Sequence, residues 1–472
     1  MTATPETAST RPPSAWATIK ESLRGSEQDF TEGSIGRAVV LLAIPMVLEM
    51  FLESVFALVD IYFVSHLGAD AVTAVGLTEA LLALVYALAM GLSIAVTAMV
   101  ARRWGEKDHE GASHAAAQAL MLGGGVAVVL GVTGFLFAEQ LLRLMGASPD
   151  VVRIGIGYTR IMLGGEVTII LLFLLNAAFR GAGDPVIAMR VLWIANAINI
   201  VLDPLLIRGY GPFPEMGVTG AAVATTIGRG IGVLLAVRAI VTPGNRLLVT
   251  RRHFHWDPEV LGGVLKLART ATLQFLVGTA SWIGLVRLLA TYGSSAVAGY
   301  TVAIRLVIFG ILPSWGLSNA AATMVGQALG ARKPDRADTS VWVASRYNFV
   351  FLGTLGVLFL LFAPAIVGVF GEDPEVTHIA TRALRIVALG FPLYAFGMVI
   401  TQAFNGAGDT WTPTWLNLAV FWVFELPLAW VLARQVGLGP DGAFWAIMTA
   451  FSVLAGAAAV VWRLGRWRTQ EV

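Results

Sequence analysis

Three carboxylates lie inside one apolar run. Residues 41–65, LLAIPMVLEMFLESVFALVDIYFVS, are long enough to cross a bilayer and carry Glu49, Glu53 and Asp60. At about 100° per residue the three fall on one narrow stripe of a helix. A carboxylate in hydrocarbon costs at least roughly 2.5–3.5 kcal/mol on insertion scales. Such a stripe is therefore expected to face a polar cavity or buried partners, and its acids are candidates for handling protons or monovalent cations. Pairing of Glu49 and Glu53 with arginine is the structural alternative. Pro45, on the same segment, is a candidate hinge because it removes one helical hydrogen bond.

A second polar set lies on VLWIANAINIVLDPLLI, residues 191–207. Asn196, Asn199 and Asp203 stand at i, i+3 and i+7, on one helix face. Pro204 removes the next backbone donor and leaves a carbonyl in need of a partner. A carboxylate, two amides and a freed carbonyl suit a proton or a hard monovalent cation. Hydrogen bonding between helices is the plainer role for Asn196. Glu166 and Asn176 on the preceding apolar segment and Thr225 on the following one complete the set. A lone Thr there commonly bonds the carbonyl one turn back. The second half of the chain differs, with Arg269, Arg287 and Arg305, and with Glu425 near Pro427.

Other chemistries lack their residues. The chain has no cysteine, which removes disulfides, thiolate metal sites and cysteine nucleophiles. No phosphate-binding GxxxxGK[ST] loop and no HExxH occur. The six histidines map to loops and helix ends, and His253-x-His255 reads as a basic linker feature rather than a metal site. No Lys/Arg tract suggests nucleic acid. The chain is read as a non-enzyme with no resident metal and no cofactor.

The elements that position these residues must be membrane helices. Of 472 residues, 57% are hydrophobic and 13% charged, with mean hydropathy +0.75. Soluble domains carry about 25% charged residues. Apolar runs of about 20 residues, rather than alternating ten-residue strands, specify an all-α integral membrane protein. Twelve transmembrane helices are predicted near 37–64, 71–101, 112–138, 152–178, 187–207, 218–241, 260–290, 296–329, 338–369, 377–404, 412–433 and 441–464. Residues 1–32 read as a polar N-terminal tail without a signal-peptide core, 1–13 unstructured and 14–24 a short interfacial helix. An N-lobe over 33–241, a cytoplasmic linker over 242–259, a C-lobe over 260–465 and a tail over 466–472 follow.

The two halves repeat. Phe179-Arg180-Gly181-Ala182-Gly183-Asp184 recurs 225 residues later as Phe404-Asn405-Gly406-Ala407-Gly408-Asp409. The same offset relates Gly91-Leu92-Ser93 to Gly316-Leu317-Ser318 and Gly105 to Gly330. Six spans per repeat bring both halves in from one side, as parallel pseudo-symmetric lobes. Basic residues cluster after helices 2, 6, 8 and 12, which predicts both termini in the cytoplasm.

The ordered set of Ile44-Pro45, Val59-Asp60 through Leu67-Gly68, the FRGAGD segment, Asn199 through Pro204, and Gly220-Ala221-Ala222-Val223-Ala224-Thr225 resembles the multidrug and toxic compound extrusion (MATE) transporters, specifically their DinF-like branch. The resemblance spans about residues 33–465. It implies a secondary active efflux transporter of the cell membrane that exports amphipathic, often cationic organic compounds by antiport with H+ or Na+ through alternating access. It also implies coupling centred in the first lobe, on positions that fall here on Asp60, Asn199, Asp203 and Thr225, with Asn176 one turn from a polar position occupied here by Phe173. The family's other branch uses a helix 7 carboxylate, which this sequence lacks. Bending of helix 1 at the proline matching Pro45 belongs to the same expectation. Partners would be small organic molecules, the ion and the lipid bilayer, with the chain a monomer. A lipid-linked oligosaccharide flippase of the same superfamily is the alternative, resting on Arg269, Arg287 and Arg305.

Overall fold

The computed structural model describes residues 14–26, 28–65, 67–370 and 373–470. Its regular elements among these residues are all helices. The interfacial helix is α1, Ala15–Arg24, capped by the Ser14 hydroxyl. The expectation for residues 1–13 lies outside the described residues. The first six spans are α2 (Ile35–Ser65), α3 (Ala69–Gly105), α4 (His109–Leu144), α5 with α6 (Pro149–Gly164 and Glu166–Gly181), α7 (Pro185–Arg208) and α8 (Val218–Val241). The last six are α9 (Pro258–Ala290), α10 (Ser294–Gly330), α11 (Pro334–Gly368), α12 with α13 (Pro374–Leu389 and Phe391–Gly406), the segment Trp411–Gln435, and α16 (Pro440–Arg463). Among the described residues eleven helices are long and apolar enough to cross a membrane, and a bent pair makes twelve. Large apolar side chains such as Leu136, Leu361 and Val423 stand exposed along them, as lipid-facing surface requires.

Three spans depart from the expected single helices. Span 4 breaks at Gly165, which packs against the Thr226 side chain of α8. Span 10 breaks at the repeat-related Gly390, and its two pieces are bent by 60°. Span 11 alternates: α14 (Trp411–Asn417), a π-helical stretch Leu418–Glu425, α15 (Leu426–Trp430) and a second π stretch Val431–Gln435.

The repeat is visible in backbone devices. Pro149 and Pro374 both start helices whose preceding Ser148 or Asp373 side chain accepts backbone N–H bonds. Among the described residues, the two non-glycine residues with positive φ, Lys107 (64°) and Arg332 (58°), are repeat partners closing α3 and α10. Glycines 68 and 293, with φ of 96° and 104°, are another pair.

Contacts between the halves are reciprocal. A β-carbon on Gly105 would overlap the Gln327 carbonyl, and one on Gly330 would overlap the Arg102 carbonyl. Gln327 and Arg102 are themselves repeat partners. Likewise Gly91 admits the Ala268 carbonyl of α9, and Gly316 admits the Met46 carbonyl of α2. As a result α2 packs more extensively on α10 than on any helix of its own half, and α9 more on α3 than on any helix of its own. The sequence partition at 241/260 therefore does not cut the molecule cleanly: spans 1 and 7 both lie along the seam.

The described hydrogen bonds that join the halves gather at the face bearing the termini and the linker. Thr323 donates to the Arg180 carbonyl (3.2 Å) and Gln327 to the Gly181 carbonyl (2.9 Å). The linker docks on α4 through Gln118, which donates to the carbonyls of His253 and His255. There Asp257 Oδ2 lies 3.0 Å from His114 Nε2, with His114 and His255 stacked. Asp257 follows His255 by two residues in the sequence and caps α9; what the fold adds is His114 of α4, brought against both. Across this face the backbone carbonyls of residues 26–33 accept from Arg246 of one half and from Lys333 and Arg336 of the other. Asp29 pairs with Lys107. Partial burial pushes the Asp29 carboxyl up, but Lys107 and Thr31 prevail and hold it at about 2.

Candidate functional site

The polar residues singled out on spans 1, 4, 5 and 6 lie within the first half, with α7 packed against both α2 and α8. The α7–α8 approach depends on glycine. A β-carbon on Gly228 would sit 2.6 Å from the Ala195 carbonyl and 3.3 Å from Asn199 Cβ. With that face bare, Asn199 Nδ2 donates to Thr225 Oγ1 at 2.9 Å in a buried bond. Thr225 is thus tied to α7. One turn along, Asp203 is fully buried, at 0% exposure. Pro204 follows it inside the helix, so the Ile200 carbonyl has no helical donor. Asn176 on α6 is also buried, and the Oδ1 atoms of Asn176 and Asn199 accept no hydrogen bond. Buried amide oxygens without donors are costly unless something enters to use them.

The α2 acids take different environments. Glu49 is 1% exposed and pairs with Arg180 of α6, Oε1 to Nη1 2.7 Å. Glu53 accepts from Asn196 Nδ2 at 3.1 Å, joining α2 to α7. Asp60 lies on α2, and its side chain is outside the described residues. Pro45 sits within α2, which runs through it as one helix. Its neighbour Met46 is where Gly316 of α10 closes on the α2 backbone.

Two cations escaped the sequence reading. Arg180 was noted only as part of a repeated motif, although its repeat partner is Asn405, and that asymmetry marks a charge needed in one half alone. Arg229 lies one turn beyond Thr225 on α8 and donates to Tyr86 Oη at 2.8 Å. An arginine inside an apolar span is itself the signal that could have found it. Phe173 packs near Tyr86, ring centroids 6.1 Å apart, and so stands beside this arginine. Glu166 is buried at the start of α6, and its Oε2 accepts no hydrogen bond.

The arrangement offers one fully buried carboxylate, two amide oxygens, a hydroxyl and a proline-freed carbonyl within one half, flanked by the Glu49–Arg180 pair. That set can hold a proton or a small monovalent cation. It contains no nucleophile–base pair of the kind that turns over a substrate.

Comparison with known proteins identifies the family. The MatE family model matches residues 45–205 and again 271–431, once per half. The probable multidrug resistance protein YoeA of Bacillus subtilis is 28% identical over 90% of this chain and 93% of its own. Among solved structures, the outward-facing conformation of a multidrug resistance MATE family transporter superposes with a TM-score of 0.87 at 28% identity, covering 93% of this chain and 98% of that one. A MATE protein in the straight conformation gives a TM-score of 0.88 at 28% identity over 93% and 98% of the two chains. This multi-pass membrane protein belongs to the MatE family and is a transporter, not an enzyme.

Proposed function

We propose that the protein is a secondary active exporter of amphipathic, often cationic organic compounds, driven by antiport with H+ or Na+ and working by alternating access. Relatives named for multidrug resistance support this reading. The observation that carries it is the fully buried Asp203 beside the Asn199–Thr225 bond. Asp60, Asn199, Asp203, Thr225 and Asn176 form the coupling set. Two carboxylates in one low-dielectric site resist double ionisation, so Asp60 and Asp203 act as a coupled pair that holds one proton or, in its place, one Na+. Glu49 and Glu53 are accessory, and Pro45 is the hinge that couples ion occupancy to α2.

The basic residues that follow spans 2, 6, 8 and 12 favour a cytoplasmic position for both termini in the cell membrane. The closed termini-bearing face then corresponds to a monomer shut toward the cytoplasm, in keeping with its likeness to an outward-facing structure. The flippase reading is not favoured, because the relatives are named for multidrug resistance.

The test is efflux of a fluorescent organic cation from proteoliposomes, run separately under a pH gradient and a Na+ gradient. One gradient should drive accumulation against the substrate gradient. Equal rates with both gradients collapsed would refute antiport.

A further inference from the structure

The second half contains an acid that the coupling set does not use. Glu425 is 3% exposed, and its Oε2 has no hydrogen-bond partner. It ends the π-helical stretch Leu418–Glu425, close to the middle of the span Trp411–Gln435. A π-helical turn changes which side chains face inward, and such turns gather at functional sites. Here it delivers a carboxylate to the wall of a cavity of about 270 Å³ between α9, α10, α13, α16 and span 11. Among the described residues lining it, Glu425 is the one with a formal charge.

The rest of the lining decides what that charge is for. Phe275 and Trp315 stack with centroids 5.4 Å apart, and Tyr394 and Phe451 stack at 3.9 Å. Phe421 and Trp282 add further rings, Trp282 being 40% exposed. Pairs already stacked are fixed in place, so little side-chain entropy is lost when a guest enters. A buried carboxylate without a partner is costly in the membrane interior. A small metal ion needs several oxygen ligands, and this wall is chiefly aromatic. A lipophilic monocation meets both needs: its charge is balanced by Glu425, and its body contacts rings whose faces attract cations. The buried Tyr300 hydroxyl and Gln274 Oε1, both without partners, offer orienting contacts.

We infer that the aromatic cavity around Glu425 in the second half is the binding site for the organic cation, separate from the ion-coupling residues of the first half. This rests on the reading of the chain as an organic-cation exporter and locates its recognition site. Protonated amines with an aromatic body and quaternary or phosphonium cations are the class that fits.

The experiment measures binding of tetraphenylphosphonium to the full chain in lipid nanodiscs, alongside neutral N-phenyl-1-naphthylamine. Tetraphenylphosphonium has no hydrogen-bond donor, so it reads charge and ring contacts alone. Glu425→Gln should weaken tetraphenylphosphonium binding tenfold or more and change the neutral probe less than threefold. Glu425→Asp should restore most of the cation affinity. Ile308→Trp, which fills the cavity and leaves the acid in place, should block both probes and guards against misfolding of the Glu425 variant. Tetraphenylphosphonium affinity within threefold of wild type in both Glu425→Gln and Ile308→Trp would overturn the site while leaving the exporter reading intact. A wild-type protein that binds and transports no organic cation would overturn both.

Discussion

The two halves share a backbone and divide their chemistry. Glycines 105 and 330 seal the same seam from opposite sides, and Lys107 and Arg332 turn the chain identically after α3 and α10. The interiors differ. The first half holds a hydrogen-bonded polar set with Asp203, Asn199, Thr225 and the Glu49–Arg180 pair. The second holds an aromatic cavity with one acid, Glu425. Positions that set backbone geometry are kept in both copies, while Arg180, whose charge pairs with Glu49, is replaced by Asn405 in the second copy. A duplicated scaffold can therefore assign ion coupling to one half and recognition of an organic cation to the other, with a shared seam to link them.

The largest effects should come from the shared devices, and should be equal. Gly105→Val or Gly330→Val would drive a side chain into the backbone of the opposite half. Each should abolish closure of the termini-bearing face and reduce transport more than tenfold, read by efflux and by cross-linking of cysteines introduced across α3 and α10. A large loss from one glycine with tolerance of the other would break the symmetry.

The buried pair should come next, and should be one-sided. Removing one partner of Glu49–Arg180 leaves an uncompensated charge, with a cost of roughly 3–5 kcal/mol. Glu49→Gln or Arg180→Met should lower thermal stability clearly, and the double variant should recover part of the loss. The second half has Asn405 at the repeat position, so Asn405→Ala should cost much less. Additive behaviour of Glu49 and Arg180 would mean that the pair is not an energetic unit.

Pro45→Ala restores a donor to the Leu41 carbonyl within α2. It should slow ion-driven efflux several-fold while tetraphenylphosphonium binding stays within threefold of wild type. Unchanged efflux would remove the hinge.

The smallest effect is the pH dependence of the tie at residue 29. With the folded Asp29 carboxyl at about 2, below its ordinary value of 3.8, its stabilisation is complete above about pH 4 and is lost as pH falls toward 2. Asp29→Asn should therefore lower stability by the same small amount at pH 6 and pH 8, measured by thermal melts. A difference between those two values would implicate another group.

Much of this was legible in the sequence, for physical reasons. Long apolar runs disclosed the spans, because hydrocarbon thickness sets their length. The FRGAGD repeat disclosed the halves. Asn199 and Asp203 stood out because polar groups in hydrocarbon demand a partner or a role. Three features stayed hidden. Gly165 and Gly390 break spans 4 and 10, yet they look like the many other glycines in membrane helices until their packing is known. The π stretch that turns Glu425 inward has no composition signal. The crossing of α2 and α9 between the halves depends on Gly91 and Gly316 meeting backbone far away in sequence, which no local pattern encodes.

The division between the halves is tested most directly by measuring gradient-driven efflux and tetraphenylphosphonium binding in parallel on wild type and Asp203→Asn, in the same lipid. The account predicts that Asp203→Asn loses accumulation driven by the ion gradient while binding tetraphenylphosphonium within threefold of wild type. Full gradient-driven efflux by Asp203→Asn, or loss of its cation binding with efflux and binding falling together, would contradict it.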